Sequence, residues 1–185
     1  VRYQRYCDGG ETIVSGMWDG FTPQYGSVQT TRNISRALEY NPDIYIIEYS
    51  GNHFAFGYPL WYVKQCFSQL ADTLFKLNKR FVFVGGTPRQ KTFASQAVQT
   101  AYMDTTRQFN TWLASTFPNN FVPVYDSLVD IARDSPRVNV LGNDKLHWNT
   151  LGHLTLASDI FKAKVVDTLL NFYSGYMLNF RPVKT

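Results

Sequence analysis

Apolar positions along the chain alternate between two rhythms. Short apolar runs read as strands: Thr12–Met17, Ile44–Tyr49, Phe81–Val84 and Phe121–Tyr125, with the nearly continuous Ile44–Tyr49 typical of a central parallel strand. Between them lie longer stretches with apolar residues at helical spacing. The first covers about 28–40, with Ser27 as its N-cap and Val28, Ile34, Ala37 and Leu38 inward. The second runs from about Tyr58 to Asn78 on Leu60, Val63, Phe67, Leu70, Leu74 and Leu77. The third covers about 94–116, starting near Ser95, and the last runs from about Thr150 to Tyr173 with Leu154, Ala157, Phe161 and Val165 as its buried stripe. Turn signals separate them: Asp8-Gly9-Gly10, the aperiodic Trp18–Gly26, Asn41-Pro42-Asp43, Gly85-Gly86-Thr87-Pro88 and Pro118-Asn119-Asn120. Asp126 is expected to cap a short helix after the fourth strand.

Strands alternating with helices predict βαβ units, hence an α/β fold: a central parallel sheet with helices on both faces and right-handed crossovers. Sites in such sheets form beyond the carboxyl ends of the strands. Gly16, Gly51-Asn52, Gly85-Gly86 and Asp126 all fall there, and the loop before the last helix can fold over the same edge.

Composition narrows the function classes. The 185 residues are 44% hydrophobic and 17% charged, as expected of one globular domain. The formal charge of +4 is spread over dispersed Lys and Arg with no basic block, which argues against nucleic acid. A polar, weakly charged surface suits a carbohydrate ligand or a secreted setting. No run reaches the ~18 apolar residues of a membrane helix, no signal peptide is evident, and the chain opens at Val1. Cys7 and Cys66 lack zinc-ligand spacing, so no metal site is expected; a disulfide and two buried thiols both remain open.

The chemistry concentrates in Asp144-Lys145-Leu146-His147-Trp148-Asn149-Thr150-Leu151-Gly152-His153. An acid and an imidazole three positions apart on a tight turn can pair. The carboxylate then accepts a hydrogen bond from Nδ1–H, which leaves Nε2 free as a base. The competing reading makes Asp144 a turn cap and packs His147 on Trp148. Asn52 could aim its amide at a developing oxyanion, or simply cap the next segment. Gly16 could add a backbone N–H, or be an ordinary turn glycine. Glu48 is read as structural or edge-facing, and His53 and His153 as supporting or surface residues. Asn33-Ile34-Ser35 matches a glycosylation sequon. Trp18, Phe54 and Trp148 could form a platform for a sugar or acyl chain, or anchor their loops.

Taken together these segments resemble the SGNH (GDSL-type) hydrolase superfamily. Residues 144–153 are similar to its Asp-x-x-His-x-Asn-x-x-Gly-His block. Asn41–His53 resembles the strand ending in Gly-x-Asn-Asp, with Asn52 in the Asn place and Ser50 and His53 departing from the usual Gly and Asp. Ile13–Trp18 resembles the block whose Gly donates to the oxyanion. The resemblance implies a flavodoxin-like three-layer α/β/α sandwich over a single domain, 1–185. It implies a Ser–His–Asp triad using His147 and Asp144, an oxyanion hole from Gly16 and Asn52, and no cofactor. Family members are esterases, lipases, carbohydrate deacetylases and O-acyltransferases, some fused to membrane acyltransferases that decorate surface polysaccharides.

One departure stands out. No Gly-Asp-Ser nucleophile motif occurs in the chain. The preferred expectation places the first strand and the nucleophilic Ser upstream of Val1. Alternatively Cys7-Asp8-Gly9 stands in its place and the protein is inactive, or Ser15 or Ser50 substitutes. The leading expectation is an ester hydrolase or O-acyltransferase acting on a small-molecule or polysaccharide ester. It would sit outside the cell, in the periplasm, or tethered within a larger membrane-associated acyltransferase. A non-catalytic module binding a glycan or another protein is the alternative. A flavodoxin-like nucleotide domain fits poorly, since no strand-end loop carries a phosphate-cradling glycine pattern.

Overall fold

The structure is a computed structural model that describes residues 11–49, 51–90, 93–144 and 146–161. The expected turn at 8–10, the Cys7-Asp8-Gly9 string, Ser50 and the last helix beyond Phe161 lie outside these residues.

The elements run α1 (Ile34–Glu39), β1 (Tyr45–Glu48), α2 (Asn52–Ala55), α3 (Leu60–Lys76), β2 (Phe81–Val84), α4 (Gln96–Thr116), β3 (Phe121–Val122), α5 (Tyr125–Leu128), β4 (Val129–Asp130), β5 (Ser135–Pro136), a 3-10 turn (Val138–Val140) and α6 (Thr150–Ile160). Strands β1, β2 and β3 form a parallel sheet in that spatial order. Tyr45 lies opposite Phe81, and Phe83 opposite Phe121. The small antiparallel pair β4–β5 stands apart from it.

Strand alternation sorts the core into two layers. Tyr45, Ile47, Phe81, Phe83 and Phe121 face α3 and α4, where Phe67, Leu70, Leu74, Phe109 and Leu113 bury against them. Val82, Val84 and Val122 face the other way, against Leu128, Val140 and Leu156. The result is the expected α/β three-layer arrangement. The first layer is rich in aromatic rings meeting edge to face, such as Phe67–Phe83 and Phe67–Phe109, both with centroids 4.9 Å apart. Such contacts add about 0.5–1.5 kcal/mol each beyond the burial itself.

Strand β2 and helix α4 match their expected limits closely, and Ser95 caps α4 by accepting from the Val98 N–H. Four expectations need correction. Thr12–Met17 is not a strand: it is buried, but Ser15, Gly16 and Met17 donate back to Thr12, Ile13 and Val14 at 3.1–3.2 Å as consecutive turns. A buried apolar run satisfies either geometry, so hydrophobicity alone did not separate them. Helix α1 starts at Ile34, not 28. Residues before it are spent on a contact to the first segment (Gln29 N–H to Ser15 O, 3.0 Å), and Asn33, not Ser27, is the cap. Asp126 lies in the first turn of α5, whose N-cap is Val124.

The fourth correction concerns α6. Leu154 and Phe161 are 61% and 55% exposed, while Gly152 and Leu156 face the core. Close approach to the preceding hairpin selects this face. A Cβ on Gly152 would lie 2.5 Å from Val140 O and 2.9 Å from Trp148 Cβ.

Candidate active site

The loop that carries Asp144 and His147 is built as a rigid hairpin. Leu141 and Trp148 form an antiparallel bridge, Gly142 N–H donates to His147 O at 2.7 Å, and Asn149 N–H donates to Val140 O at 2.9 Å. Asn149 ties this hairpin to α6. Its Oδ1 caps the helix by accepting from Gly152 N–H (3.0 Å), and its amide NH₂ donates to Asn139 O (2.8 Å) and Leu141 O (2.9 Å). Asn149 and Gly152 therefore act through geometry: one locks the hairpin to the helix, the other lets them touch.

On this support Asp144 and His147 pair as expected. His147 Nδ1 lies 2.5 Å from Asp144 Oδ2. The other carboxylate oxygen accepts the backbone N–H groups of Leu146 (3.0 Å) and His147 (3.1 Å). Those backbone donors, with the His147 ring, hold the Asp144 carboxyl well below the usual carboxylate range. An ionised acid fixed at three points orients the imidazole with Nδ1 as donor, which leaves Nε2 as the basic nitrogen. The His147 side chain is 74% exposed, so that nitrogen is presented to solvent. Among the described residues no hydroxyl hydrogen-bonds to it.

Asn52 opens α2 immediately beyond β1. Gly51 supplies the bend: its φ is +105°, and a side chain there would strike the Tyr102 hydroxyl. The Asn52 amide NH₂ donates to Glu11 O at 3.0 Å, and its Oδ1 accepts from Arg89 Nη1 at 3.0 Å. Gly16 is placed differently. Its N–H donates to Ile13 O at 3.2 Å and a Cβ on it would overlap the Tyr49 ring, so the main chain that Asn52 reaches is that of Glu11. Ser15 is closed on itself: its hydroxyl donates to Thr12 O (2.7 Å) and accepts from Thr12 N–H (2.9 Å), in a buried turn.

The remaining candidates divide clearly. His153 is exposed on α6, and Glu48 is exposed on β1. His53 is fully buried among Phe54, Phe67 and Phe109, with neither ring nitrogen hydrogen-bonded, and burial pushes its pKa down to about 3. Asn33 is 2% exposed and spends its amide on Asp19 (2.7 Å), so the sequon is engaged inside the fold. Cys66 is a buried free thiol whose pKa desolvation raises to about 11. Trp18, from a loop, and Phe54, from α2, pack against the first core layer, and Trp148 packs against the second. Among the described residues, no three of His, Cys, Asp and Glu converge as metal ligands, and no helix is long and apolar enough to cross a membrane.

Two residues at the strand ends were not singled out from the sequence. Arg89, after β2, meets Asn52, and Tyr102, from α4, underlies Gly51 and reaches Thr87 O at 3.4 Å. A polar loop residue and a helical tyrosine carry no motif. The position of Arg89 after a strand was the one available signal.

No protein-family model matches the chain, and no curated protein sequence matches it. Solved structures do. The chain is similar to a protein designated an acylhydrolase from Bacteroides fragilis, with a TM-score of 0.61 and 16% identity over 70% of this chain and 64% of that one. It is also similar to a protein designated a platelet activating factor from Streptococcus pneumonia, with a TM-score of 0.53 and 19% identity over 64% of this chain and 57% of that one. The chain thus spans less than two thirds of the length of either structure. At these identities the likeness establishes the three-layer α/β fold.

Proposed function

We propose that the protein is an SGNH-type ester hydrolase or O-acyltransferase, with His147 as general base and Asp144 as its orienting acid. The observation that carries this reading is the 2.5 Å Asp144–His147 pair, anchored by two backbone N–H groups and leaving Nε2 open to solvent. A structural turn needs the backbone contacts. It does not need the carboxylate to face the ring as well.

In the proposed reaction a serine hydroxyl attacks the acyl carbonyl while His147 Nε2 takes its proton. The carbonyl oxygen becomes the tetrahedral oxyanion. Collapse expels the alkoxide, which takes the proton from His147, and leaves an acyl-enzyme. Water or an acceptor hydroxyl then repeats the sequence in reverse. Asp144 stabilises the imidazolium formed in each half. The Asn52 amide is the proposed oxyanion donor, since Oδ1 is held by Arg89 and one amide hydrogen by Glu11 O, leaving the second hydrogen for a ligand. One such donor contributes about 3 kcal/mol at the transition state. Gly16 stays in the proposal only with its turn opened, because its N–H now closes on Ile13 O. An acyl ester on carbohydrate remains the proposed substrate class, on the weakly charged composition.

The test is hydrolysis of an aryl acetate by the full-length protein and by His147→Ala. A fall of ~10³-fold or more is expected for removal of the base. Equal rates refute the assignment of His147, and no hydrolysis by either favours the glycan- or protein-binding module.

A further inference from the structure

Arg89 differs from the other arginines among the described residues. Arg32, Arg36, Arg80, Arg107 and Arg133 each lie against a carboxylate. Arg137 donates to the carbonyls of Val129 (3.0 Å) and Asp126 (3.2 Å). Arg89 forms no ion pair with a described carboxylate. Its Nη1 donates to a neutral amide oxygen, Asn52 Oδ1, and its Nε is buried with no hydrogen-bond partner. A half-buried guanidinium is costly to leave without an anion.

The segment that carries it is held firmly. Residues 85–88 are buried beyond β2. Gly86 N–H donates to Asn110 Oδ1 (2.7 Å) and Gly86 O accepts from Asn110 Nδ2 (3.0 Å). Tyr102 reaches Thr87 O from below. The cation is therefore fixed at the carboxyl edge of the sheet, beside Asn52, where ligands of such folds bind. Its field is felt there too: it opposes the desolvation that raises the Tyr102 phenol to about 12.

We propose that Arg89 forms an anion subsite beside Asn52, taking a carboxylate or phosphate group of the ligand. A guanidinium suits this work because it stays charged and presents donors in a fixed plane. Nη1 is held by Asn52, and Nη2 has no protein partner among the described residues, so it is the nitrogen offered to the anion. If the hydrolase reading holds, the subsite selects esters that carry a negative charge on the acyl or alcohol part. The anion site itself does not depend on that reading.

Two experiments test it. In the first, acetate and inorganic phosphate are titrated separately at constant ionic strength, following the Asn52 side-chain amide by NMR. Saturable shifts are expected in the parent protein and in Arg89→Lys, reduced at least tenfold in apparent affinity in Arg89→Gln, and retained in His147→Ala. The two titrations show which anion the site prefers. Non-saturating shifts, or equal shifts in parent and Arg89→Gln, overturn the proposal. In the second, hydrolysis of an aryl hemisuccinate is compared with that of the matching aryl butyrate. Arg89→Gln is expected to raise KM about tenfold for the charged ester and not for the neutral one, with the loss of kcat through the Asn52 it holds common to both. An equal change of KM on both esters, or a loss confined to kcat, means Arg89 only positions Asn52, and also overturns it. Because His147→Ala removes hydrolysis and spares anion binding, failure of the catalytic reading and failure of the subsite are told apart.

Discussion

Replacing His53 by leucine should remove much of the protein's sensitivity to mild acid. His53 is fully buried against three phenylalanine rings, with both nitrogens unpartnered, and its pKa is about 3. In the unfolded chain the imidazole returns to about 6.5. The folded pKa is depressed, so the unfolded state binds the proton more readily and stability is lost as pH falls below 6.5. With these two values, linkage costs about 2 kcal/mol at pH 5 and about 3 kcal/mol at pH 4. The loss levels off near pH 3, where the folded imidazole itself protonates. His53→Leu carries no such proton. It also removes two unsatisfied ring nitrogens, each costing about 1–3 kcal/mol, so it should match or exceed the parent at pH 7. Urea unfolding at pH 7, 5 and 4, followed by circular dichroism, measures both. Asp19 and Asp144 also have lowered pKa values, but they contribute equally to parent and variant. Parallel loss of stability in the two proteins from pH 7 to pH 4 refutes the assignment of a buried, neutral His53.

Three further outcomes follow from the site. Asp144→Asn should lower aryl acetate hydrolysis by ~10³–10⁴-fold with the circular dichroism spectrum unchanged, because the ring loses the acceptor that sets its tautomer; a loss under tenfold contradicts the triad reading. Asn149→Ala removes the α6 cap and two hairpin hydrogen bonds, and should cost about 2–3 kcal/mol in urea unfolding. Gly152→Ala forces a methyl against Val140 O and Trp148, and should cost about 1–3 kcal/mol while weakening activity through the displaced hairpin; parent-like stability shows that α6 can shift without cost.

The sandwich was legible in the sequence because β2 and β3 are buried on both faces, β1 buries Tyr45 and Ile47 on one, and its helices are long. Phe81–Val84 has one possible environment, and the Ser95-capped α4 has one face to bury. The Asp144–His147 pair was legible for a related reason: three residues on a turn fix the separation whatever surrounds them. Short or tightly packed elements were not. Thr12–Met17 buries equally well as turns, and the buried face of α6 was decided by how closely Gly152 meets the hairpin.

Local spacing thus determined the architecture, the Asp144–His147 contact and the placing of Asn52 at a strand end. Tertiary structure alone decided what those residues meet. It closed Gly16 on Ile13 O under the Tyr49 ring, sealed Ser15 in its own turn and buried His53 without partners. It also brought Arg89 to Asn52 across 37 positions of sequence. Contacts of that separation follow from how the layers pack, and no periodicity along the chain encodes them.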